Sequence, residues 1–315
     1  MENGFKHPIR VVSRRTGLSP HVIRAWERRY RAITPQRTRT NRRLYSDEEV
    51  RRLQLLRRAT LAGHSIGQIA ILANEALETM VAQDETYAPT GTRATAGLPG
   101  EESPAAVLDS CIGAVFALDP KRLDELLSRA LVRFSHPTVV EEILLPFMVH
   151  LGEGWQQGRM KAVHEHLASV VVRNVLGALA TAYGTPGTSS TMVVTTPAGQ
   201  VHEFGALAVA ASAVAMGWHV IYLGPNLPAE EIAAAMEAHA ARVMALSVVH
   251  PGDDPRLSQE IQKLRRLVGY DVEILVGGRA AGGYKEAIEL ARGVVIQDLG
   301  MLRSHLESID RSRAT

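Results

Sequence analysis

From residue 191 onward the chain alternates short apolar runs with helical stretches, and no other feature narrows its fold so far. Thr191–Thr195, Trp218–Leu223, Val243–Val249, Val272–Val276 and Val294–Ile296 read as strands, with helices over Gly205–Met216, Pro228–Ala240 and Pro255–Leu267. That rhythm predicts a parallel sheet covered by helices. Ligands of such sheets bind beyond the carboxyl ends of the strands, where the strand order reverses. His202, Ser247, Gly277 and Gly278 all end or follow a predicted strand, which puts them on one rim.

The spacing on that rim is informative. His202-x-x-Gly205 is followed after 41 intervening residues by Ser247, and 27 residues separate Val249 from Gly277-Gly278. This pattern resembles the base-off cobalamin-binding motif. The resemblance implies that His202 is the lower axial ligand of cobalt and that Gly205, Gly277 and Gly278 make room for the displaced nucleotide tail, since backbone without Cβ can approach a ligand closely. It makes Ser247 a hydrogen-bond partner of that tail. The family usually places an acid two residues before the ligand His, to orient the ring and raise its basicity; this chain has Gln200, which can orient the ring without charge, and Glu203 is the nearby acid. Read without the resemblance, His202 is a loop histidine and the Gly pair a turn in a flavodoxin-like sensor. His250-Pro251-Gly252-Asp253-Asp254 reads as a solvated turn, not a metal site.

Charge divides the chain. Residues 1–60 hold 16 Lys and Arg against 5 Asp and Glu, a net of +11, and the rest carries a net of −9. A cationic end joined to a mildly acidic body is expected of a nucleic-acid head on a regulatory module. His7-Pro8 is expected to open a short helix that Gly17 stops, and Ser19-Pro20 to start a second over His21–Tyr30, giving a helix-turn-helix. The second helix carries Arg24, Arg28 and Arg29, suited to guanine edges or phosphates. Arg37 to Tyr45, including Arg39, Arg42 and Arg43, is too polar for a core strand pair and reads as a basic wing along the DNA backbone. Ser46-Asp47-Glu48-Glu49 is a capping box ahead of another helix. Thr16-Gly17-Leu18-Ser19-Pro20, Ile23 to Tyr30 and Arg43-Leu44-Tyr45-Ser46 resemble the winged helix-turn-helix of MerR-type transcriptional regulators, which implies operator DNA as a partner.

Asp84 to Ser103 is rich in Thr, Pro, Gly and Ala and is expected to be a flexible linker. Helix starts at Ser103-Pro104, Asp119-Pro120 and His136-Pro137, with a fourth helix from about Met160 into Tyr183, predict a four-helix bundle. Trp155 is followed, ten residues on, by Glu165-His166. Alone these would be a core aromatic and a solvated face. Together they resemble the signature of CarH-like photoreceptors, which implies that Trp155 covers the upper face of adenosylcobalamin while Glu165 and His166 contact its adenosyl group. In that family the residue after the Trp is commonly a His that takes the vacated cobalt position after illumination; here it is Gln156, a poor cobalt ligand, with His164 and His166 as the nearby imidazoles.

The expected architecture is therefore multi-domain: an all-α winged helix-turn-helix head (1–81), a linker (82–103), a four-helix bundle capping the upper corrin face (104–187) and an α/β Rossmann-like parallel-sheet cobalamin-binding domain (188–315). The resemblance implies a light-responsive, cobalamin-binding repressor in which photolysis of base-off, His-on adenosylcobalamin changes oligomeric state, as dimer or tetramer, and DNA binding. Three alternatives stand beside it: a light-independent corrinoid-binding regulator, a photoreceptor holding a non-covalent bilin beside the corrinoid, and a corrinoid methyltransferase subunit. No nucleophile, carboxylate pair or phosphate loop suggests an enzyme. Cys111 is the lone cysteine, and no membrane span or signal peptide is evident, so a cytoplasmic protein without a disulfide framework is expected.

Overall fold

The computed structural model describes residues 7–38, 42–87, 103–181 and 190–313. The chain forms two compact units, Met1–Ala178 and Leu179–Thr315.

In the first unit, β1 (His7–Pro8), α1 (Ile9–Thr16), α2 (Pro20–Tyr30), β2 (Gln36–Arg37), β3 (Arg43–Tyr45) and α3 (Asp47–Leu61) make the head, extended by α4 (Ile66–Ile69) and α5 (Asn74–Tyr87). Local chemistry sets these bounds. Gly17 closes α1 in the left-handed conformation at φ 69°, and the Ser19 hydroxyl accepts the Val22 N–H at the start of α2. At α3 both halves of the capping box form: Ser46 Oγ accepts from the Glu49 N–H, and the Glu49 carboxylate accepts from the Ser46 N–H. Val12, Leu18, Ile23, Trp26, Leu53 and Leu56 fill the core.

Three expectations for the head are corrected. His7-Pro8 is a strand and not a helix start, because its extended backbone pairs antiparallel with Tyr45 and Leu44, and Pro8 then caps α1. The head is consequently not all-α but carries a three-stranded sheet in the order β1-β3-β2. The expected linker also begins too early, since α5 continues to Tyr87; the rest of it, 88–102, lies outside the described residues.

The helical middle contains α6 (Pro104–Phe116), α7 (Pro120–Arg133), α8 (His136–Thr138), a π-helical segment (Val139–Leu144), α9 (Leu145–Gln156) and α10 (Ala162–Thr181). The first three starts share one device, a side-chain oxygen from Ser103, Asp119 or Ser135 accepting a first-turn N–H, with Pro just inside the helix. The π segment has a local cause. Pro146 has no N–H, and its ring would strike the carbonyl of Glu142 in a regular α-helix; the backbone widens instead, and Leu145 N–H reaches back to Val140. Helix α7 also packs on the head, where Val132 joins its core.

In the second unit, β4 (Thr191–Thr195), α11 (Phe204–Ala215), β5 (His219–Tyr222), α12 (Ala229–Ala238), β6 (Val243–Ser247), α13 (Pro255–Val268), β7 (Glu273–Gly277), α14 (Lys285–Leu290), β8 (Val294–Ile296) and α15 (Leu299–Arg313) alternate as the sequence predicts. All pairs are parallel, in the order β5-β4-β6-β7-β8. Val193, Met244, Leu246, Ile274 and Val276 pack against Ile232, Met236, Leu257, Ile261 and Ile288. The Ala-rich face of α11, with Ala206, Ala210, Ala211 and Ala213 fully buried, presents small side chains to its neighbours β4 and β6. Strand order reverses at β4, so the switch point falls between the carboxyl ends of β4 and β6.

Candidate functional site

At that switch point the loop after β4 carries His202, exposed, just ahead of α11. Glu203, next to it, accepts a 2.5 Å hydrogen bond from the phenol of Tyr222 at the end of β5. Gly205 lies in the first turn of α11, and a Cβ built on it would stand 2.5 Å from Ser247 Oγ. That hydroxyl ends β6, is buried, and has no hydrogen-bond partner among the described residues. Gly278 is tighter still: at φ +100° its Cβ would lie 2.3 Å from the Val248 carbonyl oxygen, while Gly277 would meet the Ile296 carbonyl at 3.1 Å. A side chain at any of these glycines is therefore crowded by the protein's own atoms, and their absence lets the strand ends and α11 close up around one unsatisfied hydroxyl. Beside Gly278, a recess of about 470 Å³ is lined by Arg279, Lys285, Ile296 and Gln297.

Gln200 does not occupy the place expected of it. It is 1% exposed, and its side-chain oxygen accepts from the backbone N–H groups of both Val249 (2.9 Å) and His250 (3.1 Å). Two donors on one oxygen identify it as the carbonyl end of the amide. Its neighbours are braced as well. Thr196 Oγ1 donates to the Gln200 carbonyl, Asn226 accepts from the Gly199 N–H at 2.8 Å, and Tyr284 bridges the Asp254 N–H and the Pro251 carbonyl. Asn226, Tyr222 and Tyr284 have no motif in the sequence; each acts across some 19 to 33 residues of chain.

In the first unit Trp155 stands at the end of α9 with 55% of its surface exposed, and Gln156 and Gln157 beside it are exposed. Glu165 accepts a 2.5 Å bond from Ser169 and lies 3.6 Å from the His166 ring, which points largely into solvent. His164 is partly committed: its Nδ1 accepts the Lys161 N–H at 3.0 Å, and its ring leans on Phe116.

The head's expected DNA contacts separate into two groups. Arg28 and Arg42 are exposed, and Arg24 is half-buried. Arg29 pairs with Asp124 of α7 at 3.0 Å, and Arg43 with Glu27 at 2.7 Å. Tyr45 is a correction: it is fully buried, because β3 turns residues 43 and 45 inward together, and its phenol is driven well above its ordinary range, chiefly by burial. Burial and then the Asp124 charge push Tyr30 up to about 12. Arg39 lies outside the described residues. Among the described residues no helix is long and apolar enough to cross a membrane, and no three His, Cys, Asp or Glu side chains come together as a metal cage.

Comparison with known proteins agrees with this division. Residues 8–76 match the MerR HTH family regulatory protein model, and residues 107–180 and 190–301 match two B12 binding domain models. The HTH-type transcriptional repressors CarH and CarA of Myxococcus xanthus are 29% and 27% identical to the chain over 89% of its length, covering 91% and 89% of their own. The monomethylamine corrinoid protein of Methanosarcina barkeri overlays at a TM-score of 0.46 and 15% identity, over 60% of this chain and 100% of that one. Residues 8–76 are thus a MerR-type helix-turn-helix region, and residues 107–180 and 190–301 the two parts of a B12-binding module.

Proposed function

We propose that the protein is a light-responsive, cobalamin-binding transcriptional repressor. The observation that carries this is the rim at the switch point: an exposed imidazole at His202, glycines whose missing side chains let the backbone pack closely there, and the orphaned, buried hydroxyl of Ser247. These residues fit a base-off corrinoid. His202 would bind cobalt from below, Gly205, Gly277 and Gly278 would admit the nucleotide tail, and Ser247 would give that tail the hydrogen bond it now lacks. Trp155, exposed on the helical module, would shield the upper face from water, with Glu165 and His166 toward the adenosyl group. When bound, adenosylcobalamin supplies a cobalt–carbon bond that light cleaves. The exposed Arg28 and Arg42 and the half-buried Arg24 of the head would hold operator DNA. The relatives' printed names, transcriptional repressor, support the same assignment.

The test uses full-length protein loaded with adenosylcobalamin in darkness, with absorption spectrum, solution mass and affinity for a duplex selected from random sequence measured before and after green light. The expected result is a changed spectrum together with a lower mass and weaker DNA binding after illumination. Identical mass and affinity in both states would overturn the light response. One observation favours a second reading: Gln156, exposed where an imidazole would be needed, suits a regulator that binds a corrinoid without using light. In that case a Trp155→Ala variant would regulate DNA as the wild type does.

A further inference from the structure

The loop after β4 must hold His202 at a fixed height if, as proposed above, this imidazole is the cobalt ligand, and the inference here rests on that assignment. Residue 200 is two positions away and nominally suited to bond the ring. Its side chain is engaged elsewhere. The Gln200 oxygen lies between two consecutive backbone N–H groups, Val249 and His250, which lie one residue beyond the buried end of β6. Neither amide belongs to the sheet ladder, which pairs β6 only through Ser247. Without Gln200 both donors would lose the bond that completes the strand end.

This brace is one of a set. Asn226 ties the loop after β5 to the loop after β4 through Gly199, and Tyr284, beyond β7, ties the 251–254 turn at both Pro251 and Asp254. Gln200 is the link between these two ties, and it spans the switch point itself. Its own backbone carbonyl is held by Thr196, so main chain and side chain are both fixed. We infer that Gln200 is the positioning residue of the cobalt-ligand loop: it sets the place of His202 by tying the loops after β4 and β6 together through two backbone N–H groups, and not by a bond to the imidazole.

The two modes of action give opposite results for a shortened acid at this position. A glutamate keeps the reach and the acceptor oxygens. An aspartate is one methylene short of the Val249 and His250 amides, yet it is the kind of acid that the resemblance places two residues before the ligand His to bond its ring. The experiment uses the full-length protein with hydroxocobalamin, measuring affinity by titration, and the cob(II)alamin-loaded form, measuring nitrogen superhyperfine coupling from an axial imidazole. Gln200→Leu is expected to bind about ten- to a hundred-fold more weakly, with a reduced imidazole-coupled fraction, the usual range for a lost outer-shell partner. Gln200→Glu should restore both readouts to near wild type, and Gln200→Asp should resemble Gln200→Leu. The inference is overturned if Gln200→Leu matches wild type in both, or if Gln200→Asp binds as tightly as wild type with an equal or larger imidazole-coupled fraction. Should Gln200→Leu fail to fold, the Glu and Asp variants decide in the same way. Failure of the underlying assignment looks different: His202→Ala would then retain wild-type affinity and an unchanged spectrum.

Discussion

The head and the corrinoid rim use opposite means to present a functional surface. In the head, function depends on side chains that are present, and several are shared with the fold: Arg43 holds Glu27, Arg29 holds Asp124, and Tyr45 is core. On the rim, function depends on side chains that are missing, with Gly205 against Ser247 and Gly278 against the Val248 carbonyl. Losing one exposed cation leaves neighbouring cations to hold a phosphate backbone. Adding one methyl group at Gly278 has no such compensation, because the obstacle there is main chain.

The largest effect expected from this contrast is that of Gly278→Ala. Its Cβ would fall 2.3 Å from a backbone oxygen at a φ that L residues avoid. The second unit should lose about 3 kcal/mol or more, combining left-handed strain with the clash, and hydroxocobalamin binding with it. A denaturant midpoint unchanged from wild type would break the contrast. Gly205→Ala should cost less, about 1–3 kcal/mol, since its obstacle is a serine hydroxyl and not backbone. Ser247→Gly in the same chain should recover much of that stability, though not the cobalamin affinity that Ser247 is proposed to supply. A double-mutant cycle separates the two outcomes.

Much of the fold was legible for local reasons. Helix starts are written in adjacent residues, Ser19-Pro20, Ser103-Pro104 and Asp119-Pro120, and the five strands in apolar runs. The placing of Gly205, Ser247 and Gly277-Gly278 at the carboxyl ends of the strands was legible from the strand pattern. What escaped is non-local. Nothing near Gln200 in sequence reveals that its amide serves Val249 and His250, 49 and 50 residues away. Tyr45 was misassigned because the charge of its neighbours hid the strand alternation, which places it inward with Arg43. His7-Pro8 reads as a helix start until its distant partner β3 is known.

The head offers smaller tests. Ser46→Ala removes one half of a complete capping box and should destabilise the head by about 1 kcal/mol, leaving hydroxocobalamin affinity at the wild-type value. A shift in that affinity would mean that the two surfaces are not independent. A last test, confined to alkaline pH, concerns Tyr30, whose raised pKa has a definite sign. The folded form holds the phenol proton more tightly than the unfolded chain, so this contribution is complete below pH 10 and is lost as pH rises toward about 12. Thermal melts across that window should show an alkaline loss that Tyr30→Phe reduces, the buried phenol of Tyr45 supplying the remainder. Asp124→Asn should reduce it, since the carboxylate is the second cause of the shift after burial.

The π-helical segment ahead of Pro146 has a consequence for heredity as much as for structure. Each residue of an α-helix turns the next side chain by about 100°, and a π-bulge accommodates one residue beyond the regular repeat. The stretch from Val139 to Leu144 therefore works as a phase adjuster, and the bearing of Trp155, eleven residues beyond it, is set there. Deleting a single residue from that stretch, with Pro146 replaced by Ala, should leave a regular helix with the indole on its original bearing, whereas the same deletion within α9 should turn it by about 100°. A one-codon deletion at this place would thus be absorbed, while one closer to the tryptophan would re-aim it without altering one atom of it.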